Sequence, residues 1–152
     1  MTDLSRRSFL GLGAVLAVAA CGAPPRVAQA AGTGASPQVT RLINRYADYY
    51  DMPESLVHRV VRRESGYNPS ARNGNYYGLM QIDPRTARTM GYTGAPSGLL
   101  DAETNLKYAG KYLRGAWLVA QGSEDRAVMW YSRGYYYEAK RLGLLQKAGL
   151  SG

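Results

Sequence analysis

The chain has 152 residues and a formal charge of +8, with one cysteine, Cys21, and one histidine, His58. This length is enough for one ordinary domain with one hydrophobic core. A lone cysteine excludes an intrachain disulfide. The cysteine and histidine counts together remove catalytic triads, CxxC redox sites and zinc clusters from consideration, so we expect neither a metal nor a cofactor.

Residues 1–20 have the pattern of an export signal. Arg6 and Arg7 form a basic start, and an apolar run with glycines extends from Phe9 to Ala20, which is too short for a permanent membrane anchor. The stretch SRRSFLG at residues 5–11 resembles a twin-arginine signal. That resemblance implies export in the folded state.

Two processing sites follow the apolar run. VAAC at residues 18–21 resembles a lipobox, which implies a lipid on Cys21, whereas AQA at residues 28–30 fits ordinary cleavage after Ala30. The position of Cys21 directly after the run favours the lipobox. Either route predicts an exported, periplasmic protein, and lipidation would anchor it to a membrane. Residues 21–37 are rich in small residues and proline and predict a flexible linker, with a folded domain over residues 38–148.

The positive charge bears on the partner of the exported domain. Residues 1–20 contain Arg6, Arg7 and Asp3, so a chain that begins at Cys21 keeps a formal charge of +7. Such a domain suits an anionic polymer or surface, such as cell-wall glycan, anionic lipid or extracellular nucleic acid. Export argues against nucleic acid, and a solvated basic surface without a specific partner is the alternative. We expect a monomer.

Apolar spacings of three and four predict an amphipathic helix over residues 38–51 and a second one that starts near Pro53. Further helices are predicted over residues 84–90, 101–121, 123–131 and 135–145, with Asp101 and Ser123 at two of the starts. No segment alternates convincingly with period two. The expected fold class is therefore a single α-rich domain, with room for a small hairpin near residues 73–82.

The second helix brings a carboxylate onto its apolar stripe. Steps of four lead from Leu56 through Val60 to Glu64, and Gly66 follows just beyond. Desolvation and the negative end of the helix dipole both disfavour the charged form of Glu64, so its pKa should be raised. A protonated acid of this kind can act as general acid in glycosidic bond cleavage. The alternative is a surface glutamate paired with Arg63.

Glycosidic cleavage normally uses a second carboxylate. The downstream candidates are Asp83, Asp101, Glu103, Glu124, Asp125 and Glu138. Four of them lie at predicted helix starts, where capping explains them. One acid is enough if an N-acetyl group of the substrate assists departure and a substrate hydroxyl completes the reaction. Glu64 would then act first as acid and afterwards as base.

Four motifs resemble, in order and spacing, the catalytic domain of the soluble lytic transglycosylase family: ESGYNPSA, YYGLMQI, DAETNLKYAGKYL and MWYSRG. The resemblance covers roughly residues 40–143. It implies a lysozyme-like fold and cleavage of the MurNAc-GlcNAc β-1,4 bond of peptidoglycan with a 1,6-anhydromuramyl product. It makes Glu64 the catalytic acid and base. The substrate-binding positions that it implies are Ser65, Tyr77, Gly78, Met80, Gln81, Asn105 and Tyr131.

Within this resemblance, Gln81 is expected to hydrogen-bond sugar and Met80 to pack against it, with core filling as the alternative for Met80. Asn105 is expected to hydrogen-bond the loop that carries the acid. The stretch WYSRG at residues 130–134 departs from the family's Ala-Tyr-Asn-Ala-Gly. Tyr131 remains and is expected to point toward the substrate or Glu64, while Ser132 replaces an asparagine and offers a shorter hydrogen bond.

Three other functions stay open from the sequence. A hydrolase of the same fold would use water and leave a reducing end. A non-catalytic module would bind peptidoglycan through Glu64 and the tyrosines. A nucleic-acid-binding protein would use basic residues and stacked tyrosines.

Overall fold

A computed structural model describes residues 34–150. The predicted signal, Cys21, the site after Ala30 and most of the predicted linker lie outside these residues. The described part contains six α-helices, one 3-10 helix and one two-stranded hairpin. In chain order these are α1 (Pro37–Tyr49), α2 (Glu54–Ser65), β1 (Arg72–Asn73), β2 (Tyr76–Tyr77), α3 (Pro84–Thr89), the 3-10 helix (Pro96–Leu100), α4 (Ala102–Ala120), α5 (Glu124–Arg133) and α6 (Tyr136–Arg141).

The predicted fold class is confirmed: the domain is mostly helical and has one small hairpin. In the hairpin, Arg72 faces Tyr77 and Asn73 faces Tyr76. The turn between the strands contains Gly74, whose φ of 57° is readily adopted by glycine. The 3-10 helix lies in a segment for which the sequence predicted no element.

The predicted last helix is too long. α6 ends at Arg141 rather than at Leu145, because the chain reverses at Gly143 in a left-handed conformation with φ 67°. The amide of Leu144 then donates to the carbonyl of Ala139 at 2.8 Å, which closes the helix end.

The core of the described domain surrounds α4. This helix contacts α1, α3, α5 and the 3-10 helix. Its buried stripe consists of small and aliphatic residues, among them Leu106, Ala109, Leu113 and Ala116. Asn105 is the fully buried polar exception on this stripe. No helix among residues 34–150 is long and apolar enough to cross a membrane.

Side-chain caps fix where the helices begin. The carboxylate of Asp101 accepts a hydrogen bond from the amide of Thr104 at 2.8 Å, and Ser123 accepts one from the amide of Arg126 at 3.4 Å. The caps predicted at both positions are confirmed. The start of α4 matters for the site, because Asn105 lies in its first turn.

Replacing Asp101 should weaken the start of α4. Asp101→Ala is expected to lower the free energy of unfolding by about 1 kcal/mol at neutral pH, whereas Asp101→Asn should cost much less. The backbone hydrogen bond from Thr104 lowers the pKa of Asp101, so this contribution is present above the ordinary carboxyl pKa and lost as the pH falls through the lowered value. Urea unfolding at neutral and acidic pH measures it. Asp48→Ala, on exposed α1 surface, is the control.

Candidate active site

Glu64 is the second-to-last residue of α2. The aliphatic stripe that leads to it is fully buried, and the Glu64 side chain itself is 24% exposed. Gly66 ends the helix in a left-handed conformation and donates its amide to the carbonyl of Arg62 at 3.1 Å. The carboxylate therefore lies beside the core and near the negative end of the helix dipole, as the sequence predicted.

The surroundings of Glu64 favour its protonated form. Desolvation raises the pKa of Glu64, and the charge of Arg63 opposes this rise. The Arg63 Nε lies 3.6 Å from Glu64 Oε1, but the Arg63 side chain is 52% exposed. Water weakens the attraction of such an exposed cation. Partial burial thus raises the pKa of Glu64 above its ordinary value in spite of the neighbouring arginine.

Ser65 ties the end of α2 to the loop that follows the hairpin. Its hydroxyl donates to the carbonyl of Leu79 at 2.7 Å and has a second acceptor, the carbonyl of Val61, at 3.2 Å. These contacts turn the Ser65 hydroxyl toward the protein backbone. Its structural effect is to hold the loop next to Glu64.

The GLMQ segment at residues 78–81 is a closed loop. Tyr77 and Ile82 exchange two backbone hydrogen bonds of 3.1 and 3.2 Å at its base. The amide of Gly78 donates to the carbonyl of Ala71 at 2.8 Å. Gln81 has a positive φ of 49° and turns the chain back toward Ile82.

Asn105 holds this loop from below. Its Oδ1 accepts the amide of Met80 at 2.9 Å. Its Nδ2 donates to the carbonyls of Tyr77 and Leu99, both at 2.8 Å. The side chain is fully buried, and it is the partner of the Met80 amide and the Leu99 carbonyl, while the Tyr77 carbonyl also accepts the amide of Ile82. Asn105 therefore joins α4 and the 3-10 helix to the GLMQ loop, and not directly to the loop after Glu64.

Glycine is required at residue 78. A Cβ there would lie 2.3 Å from Asn105 Nδ2 and 2.4 Å from the carbonyl oxygen of Leu99. The φ of 73° also disfavours any residue with a side chain. The backbone at Gly78 can approach the side-chain amide of Asn105 closely because glycine has no side chain that would lie between them.

Tyr131 is the third support of the loop. Its hydroxyl donates to the carbonyl of Met80 at 2.8 Å. Burial raises the pKa of Tyr131, and the negative charge of Glu64 raises it further, which places the phenol in the electrostatic reach of the acid. The ring also packs edge-on against Tyr112, with centroids 5.5 Å apart. The hydroxyl is thus directed at the loop backbone beside Glu64.

The remaining predicted site residues differ in access. Met80 is fully buried and Tyr77 is 8% exposed, so both side chains pack in the core. Gln81 is partly exposed and donates Nε2 to the carbonyls of Ala71 and Gly78 at 3.1 and 2.9 Å. These bonds fix the Gln81 amide and leave its oxygen as an acceptor at the surface.

A cavity of about 240 Å³ adjoins this network. It lies between the end of the loop, the start of α3 and the end of α5. Its lining consists of Gln81, Ile82, Asp83, Thr86, Tyr112, Tyr131, Ser132, Arg133 and Gly134. Tyr131 thus lies within the electrostatic reach of Glu64 and also lines a concave surface that a ligand can enter, together with Gln81.

The six downstream carboxylates all have partners of their own. Asp83 caps α3 and pairs with Arg85, and Asp101 caps α4. Glu103 pairs with Arg45, and Glu124 accepts a hydrogen bond from Ser55 at 2.6 Å. Asp125 pairs with Arg59 at 2.6 Å, and Glu138 pairs with Arg141 at 2.6 Å. Glu64 is therefore the acid in this region whose surroundings favour protonation.

Within residues 34–150, no three side chains of the metal-binding types His, Cys, Asp and Glu are arranged to hold an ion.

Comparison with known proteins identifies this arrangement. The transglycosylase SLT domain model matches residues 41–146. The chain belongs to this family. It is also 36% identical over 81 residues to the soluble lytic murein transglycosylases of Escherichia coli K12 and of Escherichia coli O157:H7. Each of these alignments covers 48% of this chain and 12% of the relative, so the SLT domain corresponds to a small part of those proteins.

Sequence reasoning missed two parts of this SLT domain. It missed the role of Leu99, whose contribution is a backbone carbonyl that leaves no mark in the side-chain pattern. It also assigned no role to Arg133 or Tyr112, which line the cavity. A signal existed for Arg133, because this arginine stands where the family usually has an alanine.

Removing the Asn105 amide should disrupt the loop. Asn105→Ala leaves the Met80 amide and the Leu99 carbonyl without partners and removes one of the two donors to the Tyr77 carbonyl, so we expect a loss of about 2–4 kcal/mol in the free energy of unfolding. Urea unfolding followed by circular dichroism gives this value. Asn75→Ala, in the exposed hairpin turn, should change it by less than about 0.5 kcal/mol. Equal effects of the two variants would contradict the role of Asn105.

Proposed function

We propose that this protein is a peptidoglycan lytic transglycosylase that cleaves the MurNAc-GlcNAc β-1,4 bond and releases a 1,6-anhydromuramyl product. The observation that carries the proposal is that Glu64 differs from the downstream carboxylates in its burial, its pKa and its partners. Glu64 is half-buried with a raised pKa, and each downstream carboxylate caps a helix or has a partner of its own. Membership of the SLT domain family supports the same reaction class.

In the first step, protonated Glu64 donates its proton to the glycosidic oxygen. The bond between that oxygen and C1 of the muramyl sugar breaks, and the GlcNAc hydroxyl leaves. The N-acetyl group of the muramyl sugar stabilises the electron-poor C1, as in substrate-assisted glycosidases. The ionised Glu64 remains beside the sugar, where desolvation makes it a stronger base than an exposed carboxylate.

In the second step, Glu64 removes the proton from the C6 hydroxyl of the same sugar. The C6 oxygen bonds to C1, which closes the 1,6-anhydro ring and regenerates the protonated acid. Glu64 thus acts as acid and then as base, and no water is consumed. A second carboxylate is unnecessary because the substrate supplies both the assisting group and the nucleophile.

The other predicted site residues position the sugar relative to Glu64. Gln81 presents its amide oxygen at the surface, and Ser65 and Tyr131 hold the loop backbone on either side of the acid. The proposed glycan groove runs along this edge of the loop. Its buried floor consists of Tyr77, Gly78, Met80 and Asn105. The proposal therefore assigns direct sugar contact to the exposed edge of the loop, and support to its interior.

The proposal includes export to the periplasm, with a lipid on Cys21 or cleavage after Ala30. The positive charge of the chain complements the carboxylates of peptidoglycan peptides. It names peptidoglycan as the partner, gives nucleic acid no part, and takes the protein to act as a monomer.

Glu64→Gln tests the reaction. The near-isosteric amide cannot supply the proton, so kcat should fall at least about 10³-fold while binding of the glycan persists. Mass spectrometry of the muropeptides released from sacculi identifies the ends formed by the parent chain. Glu54→Gln, in the exposed first turn of α2, should leave the product yield unchanged.

Each alternative gives a different result in this experiment. Anhydro ends that disappear in Glu64→Gln support the proposal. Reducing ends in the parent chain would establish a hydrolase. No release by the parent chain would leave a binding module as the better description, and full release by Glu64→Gln would contradict the role of Glu64.

The pH profile provides an independent check. Because catalysis begins from protonated Glu64, kcat should decline as the pH rises through its raised pKa, which lies above the ordinary value of 4.5. Arg63 lowers this pKa, so Arg63→Gln should move the alkaline limb to higher pH. The matched control is Arg62→Gln, which removes an exposed neighbouring charge. A limb that shifts equally in both variants would mean that Glu64 does not control it.

A further inference from the structure

A second cavity adjoins the one lined by Gln81 and Tyr131. It has a volume of about 200 Å³ and lies between the ends of α5 and α6 and the chain near Leu150. Tyr112, Arg133 and Gly134 line both cavities. The two spaces therefore meet at the end of α5, and a ligand with a branch can occupy both.

Arg133 carries the charge at this junction. Its side chain is exposed, and it forms no salt bridge within residues 34–150. The acid in the first cavity is Asp83, whose carboxylate is held by the Arg85 side chain through two contacts of 3.2 Å. Arg133 is thus a cation with free donors beside an acid that is already neutralised.

The second cavity is mostly aromatic. Besides the three shared residues, its lining consists of Tyr135, Tyr136, Tyr137 and Leu150. The Tyr137 side chain is 84% exposed, and its ring packs edge-on against Tyr136 with centroids 5.4 Å apart. Exposed tyrosines of this kind offer apolar faces together with hydroxyls that bond to amides.

The occupant that fits both features is a short acidic peptide. Tyrosine faces accept aliphatic side chains, phenol hydroxyls bond to peptide amides, and a guanidinium binds a carboxylate through paired hydrogen bonds. On the proposed function, the muramyl sugar carries such a peptide as a branch from the glycan. The branch would leave the first cavity where Arg133 stands.

We propose that Arg133 binds a carboxylate of the peptide attached to the muramyl sugar, and that the tyrosine-lined second cavity receives the peptide chain. The inference rests on the proposed function for the identity of the substrate. The groove would thereby prefer glycan that bears charged peptides.

Calorimetric titration of the full chain carrying Glu64→Gln, which prevents cleavage, tests this inference. One ligand is a GlcNAc-MurNAc tetrasaccharide with its peptides and their free carboxylates, and the other is the same compound with those carboxylates converted to carboxamides. We expect about ten-fold tighter binding of the acid form, because a charge-assisted hydrogen bond is of that strength. The preference should shrink in high salt.

Arg133→Ala in the same background should reduce the preference for the acid form to about one. Arg133→Lys should retain part of it, because the charge remains while the paired geometry is lost. Arg41→Ala, an exposed arginine on α1 outside both cavities, is the matched control and should keep the full preference. An unchanged preference in Arg133→Ala would overturn the inference, as would equal binding of the two ligands by the parent.

The second cavity has its own variant. Tyr137→Ala should weaken the binding of both peptide forms several-fold and leave their ratio intact. Tyr49→Ala, which removes another highly exposed tyrosine, should change neither the affinities nor the ratio. Failure of the proposed function is recognisable separately, because the chain with Glu64 intact would then release no anhydro product. If the anhydro product forms but Arg133→Ala leaves the preference for the acid form unchanged, the inference is overturned and the proposed function stands.

Discussion

The site depends on one buried amide. The fully buried Asn105 side chain forms hydrogen bonds with three backbone groups from two other segments. Burial keeps water from replacing Asn105 at the Met80 amide and the Leu99 carbonyl. Because the amide both donates and accepts, it fixes the direction of the loop as well as its position. A hydrophobic residue of similar volume would fill the space but would form no hydrogen bonds that fix the position of the loop backbone.

The acid benefits from this rigidity at some distance. The loop fixes the positions of the Ser65 and Tyr131 hydroxyls. Ser65 donates to the carbonyl of Leu79 and Tyr131 to the carbonyl of Met80, and both carbonyls lie next to the Met80 amide that Asn105 binds. Glu64 is the neighbour of Ser65, and its charge acts on Tyr131. The loop beside Ser65 is therefore held by three side chains, and partial burial of the neighbouring Glu64 carboxyl raises its pKa.

Much of the fold was predictable because it follows local rules. Helical spacing, proline positions and capping residues such as Asp101 predicted all six α-helix starts of the described domain within about one residue. The position of Glu64 on the buried stripe followed from the same periodicity. The 3-10 helix and the early end of α6 were not predictable, because turn geometry at positions such as Gly143 sets them. The Asn105 contacts join residues 6 to 28 positions apart and leave no periodic mark.

A single acid also suits the electrostatics of this domain. A second ionised carboxylate close to Glu64 would raise the pKa of Glu64 still further. Arginines of the chain would then be needed to neutralise the two carboxylates. Instead, the other acids cap helices or pair with arginines, which fixes the scaffold. The groove keeps Arg133 free of an acidic partner within the described residues. On the inference above, a carboxylate of the substrate is the anionic partner of Arg133.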